Sequence, residues 1–167
     1  MEELMKALVT YFSRTGNTKK VAQAIYDAVT IEKTIAPVDD APPAAGYDVI
    51  FCGFPVHAHS VPGTISSFIK NLPEGKKLAL FSTHGSLRHN AFAKTAIEHA
   101  SSLAKKATVI GTFSCRGQVE EAVIEALLKK PENKAWCEEA RGAQGHPDDA
   151  DLADARDFAV KMTHKVK

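Results

Sequence analysis

A short stretch near the start of the chain has the side chains and the glycine of a phosphate-binding loop: Ser13, Arg14, Thr15, Gly16, Asn17 and Thr18. An apolar run over 7–12 precedes it, and an amphipathic segment follows it. A strand that turns through such residues into a helix presents backbone N–H groups and the positive end of the helix dipole to an anion. Gly16 allows close approach of the backbone, or a positive φ. We therefore predict that the loop binds a phosphate group; the alternative is a polar strand–helix turn that only caps the helix.

Two further apolar runs lead into polar stretches with histidines. The run over 47–54 is followed by His57 and His59, and the run over 77–83 by His84. An imidazole can stack on a ring, donate a hydrogen bond or take up a proton near neutral pH. We expect these histidines to line a ligand site, with an exposed loop position as the alternative for each. His57 and His59, together with His84 or His89, also leave a metal site as an alternative.

Several other chemistries find no support in the sequence. The phosphate loop lacks the Gly-Lys-Ser/Thr ending of a nucleoside triphosphatase, and no Gly-x-Ser-x-Gly motif of a hydrolase occurs. The three cysteines, Cys52, Cys115 and Cys137, match neither a zinc site nor a redox motif, and an odd number disfavours a disulfide framework. The apolar surroundings of Cys52 and Cys115 predict buried thiols.

The elements that must position these residues alternate along the chain. Apolar runs predict five strands, and amphipathic spacing predicts helices between most of them. Pro42, Pro43 and Gly46 leave little room for a helix between the second and third strands. Such alternation is typical of a parallel sheet with helices on both faces. The predicted strands cover 7–12, 31–38, 47–54, 77–83 and 107–115, and the predicted helices cover 18–29, 64–72, 90–105, 119–128 and 147–164.

Residues 116–146 form an extra segment that five strands and their helices do not need. The part over 132–145 is polar except for Trp136, which we interpret as an anchor for the segment; the alternative is packing over a ligand. The region 118–157 contains 11 acidic residues and 5 basic ones, in a chain whose net charge is only +1. This acidic region predicts a docking surface for a charged partner, with a solvated surface as the alternative.

The length, 167 residues, predicts a single domain over 1–167. No apolar run approaches the length of a membrane span, and the start of the chain does not resemble a signal peptide. We expect a cytoplasmic protein with neither a membrane nor a nucleic acid among its partners.

Three motifs together resemble the flavodoxins. The stretch Ser-Arg-Thr-Gly-Asn-Thr over 13–18 is similar to the family's phosphate loop. Tyr-Asp-Val-Ile-Phe-Cys-Gly-Phe-Pro-Val over 47–56 is similar to its third strand and the loop that covers one face of the flavin. Phe-Ser-Thr-His-Gly-Ser over 81–86 stands where its other flavin loop lies. The resemblance implies a three-layer α/β fold, with a five-stranded parallel sheet in the order 2-1-3-4-5 and FMN at the carboxyl edge, where the strand order reverses.

The same resemblance implies which residues bind FMN. The phosphate would lie against residues 13–18, and the ring between the loops after strands three and four. Neither loop contains the aromatic residue that the family commonly stacks on the flavin, so Val56, His57 and His84 supply the wall. A histidine cation beside the ring would favour the reduced, anionic flavin. The implied ring-binding residues are Pro55, Val56, His57, Ala58, Thr83, His84, Gly85 and Ser86.

A flavodoxin-like protein carries electrons between protein redox partners and needs no catalytic acid or base of its own, since the cofactor carries the chemistry. Electron transfer is therefore the favoured function. The first alternative is an FMN-dependent oxidoreductase that uses NAD(P)H and reduces a quinone or a flavin. The second is a binding module for another phosphate ligand, without redox chemistry.

Overall fold

Five parallel strands form one sheet in the order β2-β1-β3-β4-β5. The computed structural model describes residues 4–56, 61–85 and 91–167, and of residues 91 and 92 the backbone only. The predicted strand order is confirmed, and each strand lies within two residues of its predicted bounds. The strands are β1 (Lys6–Tyr11), β2 (Glu32–Pro37), β3 (Val49–Pro55), β4 (Lys77–His84) and β5 (Thr108–Arg116).

Helices cover both faces of the sheet, as the alternation predicts. The first and last helices pack on one face, and the second and third on the other. Two short 3₁₀ turns, Val38–Asp40 and Ala44–Gly46, connect β2 to β3, which confirms that no full helix lies there. The α-helices are α1 (Asn17–Ala28), α2 (Gly63–Lys70), α3 (Ala91–Leu103), α4 (Glu121–Leu128), α5 (Lys134–Arg141) and α6 (Asp149–Val166).

Two apolar cores sandwich the sheet because successive strand residues point to opposite faces. Val9, Phe51 and Phe81 face α1 and α6, whereas Leu8 and Ile50 face α2 and α3. All five side chains are fully buried. Both faces of the central strands are therefore apolar, which is why these strands read as continuous hydrophobic runs in the sequence.

Close packing at the centre of the sheet depends on Gly53, which is in register with Tyr11 and with Phe81. A Cβ added to Gly53 would lie 2.0 Å from a ring carbon of Phe81. The missing side chain therefore makes room for the Phe81 ring directly beneath the carboxyl edge of the sheet.

The extra segment contains one helix that the sequence did not predict, α5. A third apolar cluster holds the segment together, with Ile124, Cys137 and Ala140 buried and Trp136 packed against them. The interpretation of Trp136 as the anchor of this segment is thereby confirmed. The three cysteines are all buried free thiols, which confirms the prediction for Cys52 and Cys115.

Within the described ranges, no helix is both long enough and apolar enough to cross a membrane.

Candidate functional site

The loop over 13–18 turns directly from β1 into α1. Gly16 adopts a left-handed conformation with φ 97° and precedes the first residue of the helix. The hydroxyl oxygen of Ser13 accepts hydrogen bonds from the backbone N–H groups of Gly16 (3.2 Å) and Lys19 (3.3 Å). The loop therefore curls around the helix N-terminus, where the helix dipole is positive.

Several backbone N–H groups of this loop, among them those of Thr15, Asn17 and Thr18, donate no hydrogen bond to any residue in the described part of the chain. Successive amides around a left-handed glycine form a concave cradle that suits an anion. Unsatisfied donors at a helix N-terminus are the usual partners of a phosphate. The donor set therefore fits a phosphate group.

Two side chains of the loop fix it to neighbouring elements. The hydroxyls of Thr18 and Thr83 share a hydrogen bond of 2.9 Å, and both residues are buried. The side-chain amide of Asn17 donates to the backbone carbonyl of Gln118 at 2.9 Å. The backbone of the loop, rather than these two side chains, is thus left open for a ligand, while Arg14 and Thr15 are exposed.

A recess of about 380 Å³ opens beside the loop, towards the end of β2. Arg14 and Lys19 line it on one side, and Val38 and Asp39 on the other. Two cations near the amide cradle raise the local potential for an anionic ligand.

The ends of β1, β3 and β4 meet at the same edge of the sheet. Pro55 is in register with Thr83, and the N–H of Val56 donates to the Thr83 carbonyl at 2.9 Å. The N–H of Phe12, just before the phosphate loop, donates to the Gly53 carbonyl at 3.0 Å. The structure therefore brings together the predicted site residues that it describes, whereas His57, Ala58 and Ser86 lie outside the described residues.

His84 is the last residue of β4 and is only 6% exposed. Its backbone carbonyl accepts a hydrogen bond of 2.8 Å from Gly117, just beyond β5. The low exposure places the imidazole inside the carboxyl edge of the sheet, and the backbone bond joins the ends of β4 and β5 there. His59, the partner in the metal-site alternative, lies outside the described residues.

The extra segment packs directly on Gly85, the residue that follows β4. A Cβ on Gly85 would lie 2.5 Å from Val119 Cγ2, 3.5 Å from Ala140 Cβ and 3.6 Å from Trp136 Cζ2. Residue 85 thus needs to be glycine for the segment to approach. Sequence reasoning assigned Gly85 to the cofactor, but it did not foresee this second contact.

A hydrogen-bonded chain connects the phosphate loop to the start of α6. Gln118, whose carbonyl holds Asn17, donates its own N–H to the His146 carbonyl at 2.8 Å. The His146 ring nitrogen Nδ1 lies 2.5 Å from a carboxylate oxygen of Asp151, in the first turn of α6. The two ends of the segment are therefore bonded to each other, and Gln118 ties them to the phosphate loop.

No thiol of the described structure offers a nucleophile at this edge. Cys52 lies on β3 and is fully buried, and this burial raises the pKa of its thiol far above the ordinary value. Buried in an apolar core, it stays a neutral thiol at physiological pH.

Comparison with known proteins gives matches along nearly the whole chain. A family model described as a flavodoxin domain matches residues 8–160. The flavodoxin-like domain-containing protein BilS of Clostridioides difficile (strain CD3) is 32% identical over 174 aligned positions, which cover 97% of this chain and 98% of that protein.

Solved structures share the fold at low sequence identity. An archaeal flavodoxin superposes with a TM-score of 0.65 at 18% identity, covering 97% of this chain and 99% of its own. A flavoprotein of Lactobacillus acidophilus NCFM, solved in complex with FMN, superposes with a TM-score of 0.54 at 19% identity, covering 67% of this chain and 93% of its own.

Proposed function

Because this chain belongs to the flavodoxin domain family, we propose that it binds FMN at the carboxyl edge of its sheet and carries electrons between redox partners. The observation that carries the proposal is the amide cradle of the loop over 13–18, in which Thr15, Asn17 and Thr18 keep N–H donors without partners in the described structure. The phosphate of FMN is an anion of the size that such a cradle accepts.

The phosphate end of FMN would be held mainly by the backbone. The amides of Thr15, Asn17 and Thr18 donate to it, and Arg14 and Lys19 add positive charge from the neighbouring recess. Gly16 permits the left-handed turn that opens the cradle. The bond between Thr18 and Thr83 holds the loop in register with β4 while the phosphate is bound.

The ring end would lie between the loops that follow β3 and β4. Bound FMN supplies the electron chemistry, and the protein supplies orientation and electrostatics. Pro55 and Val56 begin one wall, and Thr83, His84 and Gly85 begin the other. The extra segment backs the second wall through its contact with Gly85, so that this side of the site is packed from behind.

A flavin titration tests cofactor binding. Purified protein with added FMN should show the shifted absorbance bands of a bound flavin, with one FMN per chain at saturation. Gly16→Val places a branched side chain at a positive φ, which is strained, and should weaken FMN binding at least about tenfold. Gly75→Val, in the turn just before β4, where the glycine also has a positive φ (84°) and open space around it, is the matched control. If unmodified protein binds no FMN, flavin binding is refuted and the loop serves another phosphate ligand.

Turnover separates a carrier from an enzyme. The FMN-loaded carrier should exchange electrons reversibly with a mediator, yet should not oxidise NADH or NADPH in the presence of a quinone or free flavin. Rapid, saturable oxidation of either nucleotide would instead identify an FMN-dependent oxidoreductase. The acidic region 118–157 would then contact a substrate-delivering partner rather than a general redox partner.

A further inference from the structure

Arg116 is the last residue of β5 and is in register with His84, the last residue of β4. It is also the first residue of the extra segment, and it stands between the rest of that segment and Gly85, where the candidate flavin loop leaves β4. No feature of the local sequence marks it as a site residue, because its partners come from distant parts of the chain.

The guanidinium of Arg116 joins the two structures through backbone carbonyls. Nη2 donates to the carbonyl of Gly85 at 3.4 Å and to that of Glu139 at 2.5 Å, and Nη1 donates to that of Gly142 at 3.1 Å. The Glu139 and Gly142 carbonyls belong to the last turn and C-cap of α5, the negative end of the helix dipole. The planar fork of arginine suits such divergent acceptors better than a single ammonium does.

No acid in the described part of the chain pairs with the charge of this side chain. Within the described ranges, none of the ion pairs includes Arg116. Its Nε is buried and has no hydrogen-bond partner there. Carbonyl dipoles solvate a cation without cancelling its charge, so Arg116 leaves a net positive charge behind the first residue of the flavin loop.

The surroundings leave the guanidinium little freedom to move. A Cβ on Gly142 would lie 3.2 Å from Arg116 Nη2, and a Cβ on Gly85 would meet Val119 at 2.5 Å. Glycines at two of the three carbonyl partners therefore let the loop and α5 close on the arginine. A charge held in this way acts from a fixed position, and its partial burial reduces its screening by salt.

We propose that Arg116 is a positioning residue for the flavin: it holds the Gly85 loop against α5 and places a fixed positive charge at that edge, which favours the reduced, anionic flavin over the oxidised one. This inference rests on the proposed binding of FMN. The sequence alone suggested that histidines tune the reduction potential of the flavin. The proposal gives part of that role to an arginine of β5.

Midpoint potentials of FMN-loaded variants test the charge. R116Q should lower the preference for reduced over oxidised FMN about tenfold, equivalent to about 30 mV in a two-electron couple. R116K keeps the charge and should change this preference by less than about threefold, while weakening FMN binding because it cannot bridge three carbonyls. R141Q removes an exposed cation of α5 that pairs with Glu121. The midpoint potential of FMN in R141Q should match that in unmodified protein. Equal shifts in R116Q and R141Q, or no shift in R116Q, would overturn the proposal.

Hydrogen exchange of the FMN-free protein tests the positioning role separately. Amides of Lys134–Arg141 and of Gly85 should exchange faster in R116Q and R116K than in R141Q. If unmodified protein binds no FMN, the proposed function fails, and exchange alone decides whether Arg116 joins the loop to α5. If R116Q does not fold, R116K is used in its place. Unchanged amide exchange together with unchanged FMN affinity in the variant measured would refute the positioning role of Arg116.

Discussion

At the scale of single residues, the hydrogen bond between Thr18 and Thr83 connects the first turn of α1 to the end of β4. The two hydroxyls are 65 positions apart in the chain and both residues are buried. The sequence marks both as candidate site residues, but only the fold shows that they bind each other. Their bond sets the spacing between the phosphate loop and the β4–α3 loop.

Thr18→Val should destabilise the protein by about 1–3 kcal/mol, because it leaves the buried Thr83 hydroxyl without its partner. The double variant T18V/T83V removes both hydroxyls and should be more stable than the sum of the two single changes by at least about 0.5 kcal/mol. Urea unfolding of the four proteins measures this coupling. Strictly additive effects would show that the bond contributes nothing to the loop's position.

Other site residues escape prediction at this scale because their roles depend on tertiary contacts. Gln118 holds Asn17 through a backbone carbonyl, which any residue type could supply. The contacts of Arg116 depend on where the carbonyls of Gly85 and Gly142 meet. Residues 13–18 could be predicted because their chemistry is local: a glycine, hydroxyls and a helix start lie within one turn of chain.

At the scale of elements, two strand glycines face very different neighbours. A Cβ on Gly53 of β3 would lie 2.0–2.5 Å from three ring carbons of the fully buried Phe81. One on Gly111 of β5 would clash with the flexible end of Met162, at 2.5 Å from Sδ and 2.8 Å from Cε, and would lie at an ordinary contact distance of 3.6 Å from the Phe158 ring. The same substitution therefore meets a rigid ring in one strand and a movable thioether in the other.

Gly53→Ala should destabilise the fold by about 3 kcal/mol, since the ring must move in a closely packed core. Gly111→Ala should change the stability by less than about 1 kcal/mol, because methionine adapts to irregular space. Thermal and urea unfolding of the two variants give the comparison. Equal losses would mean that the sheet itself, rather than the facing side chain, disfavours a side chain at both positions.

The N-terminus of α6 is a reciprocal cap. The N–H of Asp151 donates to the Asp148 carboxylate at 2.9 Å, and the N–H of Asp148 donates to the Asp151 carboxylate at 2.9 Å. The hydrogen bond from the Asp151 N–H lowers the pKa of Asp148 below its ordinary value of 3.8. A lowered carboxyl pKa stabilises the fold above the ordinary pKa, and this contribution is lost as the pH falls through the lower value.

Asp148→Ala should therefore lower the melting temperature by about 2–4 °C at neutral pH, the shift expected for loss of a helix cap in a chain of this size. The difference from unmodified protein should stay constant down to mildly acidic pH and shrink as the pH falls below 3.8. Asp157→Ala, at an exposed position of the same helix, is the control and should change little. A difference that grows towards acidic pH would contradict the role of the charged cap.

The helix that the sequence did not predict shows where periodicity fails. α5 buries only Cys137 and Ala140, and apart from Ala135 and Trp136 its other residues are charged. It has no leucine or isoleucine to mark an apolar stripe, so its pattern resembles that of a loop. α1 and α6 could be predicted because Val21, Ile25 and Phe158 repeat at helical spacing towards the same core.

At the scale of the whole molecule, the charge is uneven although its sum is small. The region 118–157 carries 11 acids against 5 basic residues, while residues 1–117 carry 13 basic residues against 9 acids. The start of the acidic region, Gln118, is bonded to the phosphate loop, and the region continues through the segment that packs on Gly85. One flank of the candidate site is therefore acidic, and a carrier with this arrangement would attract a basic partner.

Reduced, FMN-loaded protein should transfer electrons to a cationic acceptor, such as hexaamminecobalt(III), faster than the driving force of the reaction alone predicts. This rate advantage should fall as the ionic strength rises. Glu125→Lys, on the exposed side of α4, should reduce the advantage. Asp27→Lys, in the last turn of α1, is the control: it changes the net charge of the protein by the same amount but lies outside the acidic region. Stopped-flow rates at several salt concentrations measure the effect, and equal responses of the two variants would exclude local steering.

The packing of Trp136 on Gly85 has an optical consequence. Trp136 is the only tryptophan in the chain, and its ring comes within 3.6 Å of the position that a Gly85 Cβ would occupy. Indole emission overlaps flavin absorption, so energy transfer would quench this single emitter in every molecule that holds FMN. The protein thus has an intrinsic fluorophore beside its cofactor loop, and its brightness would give the loaded fraction without any label.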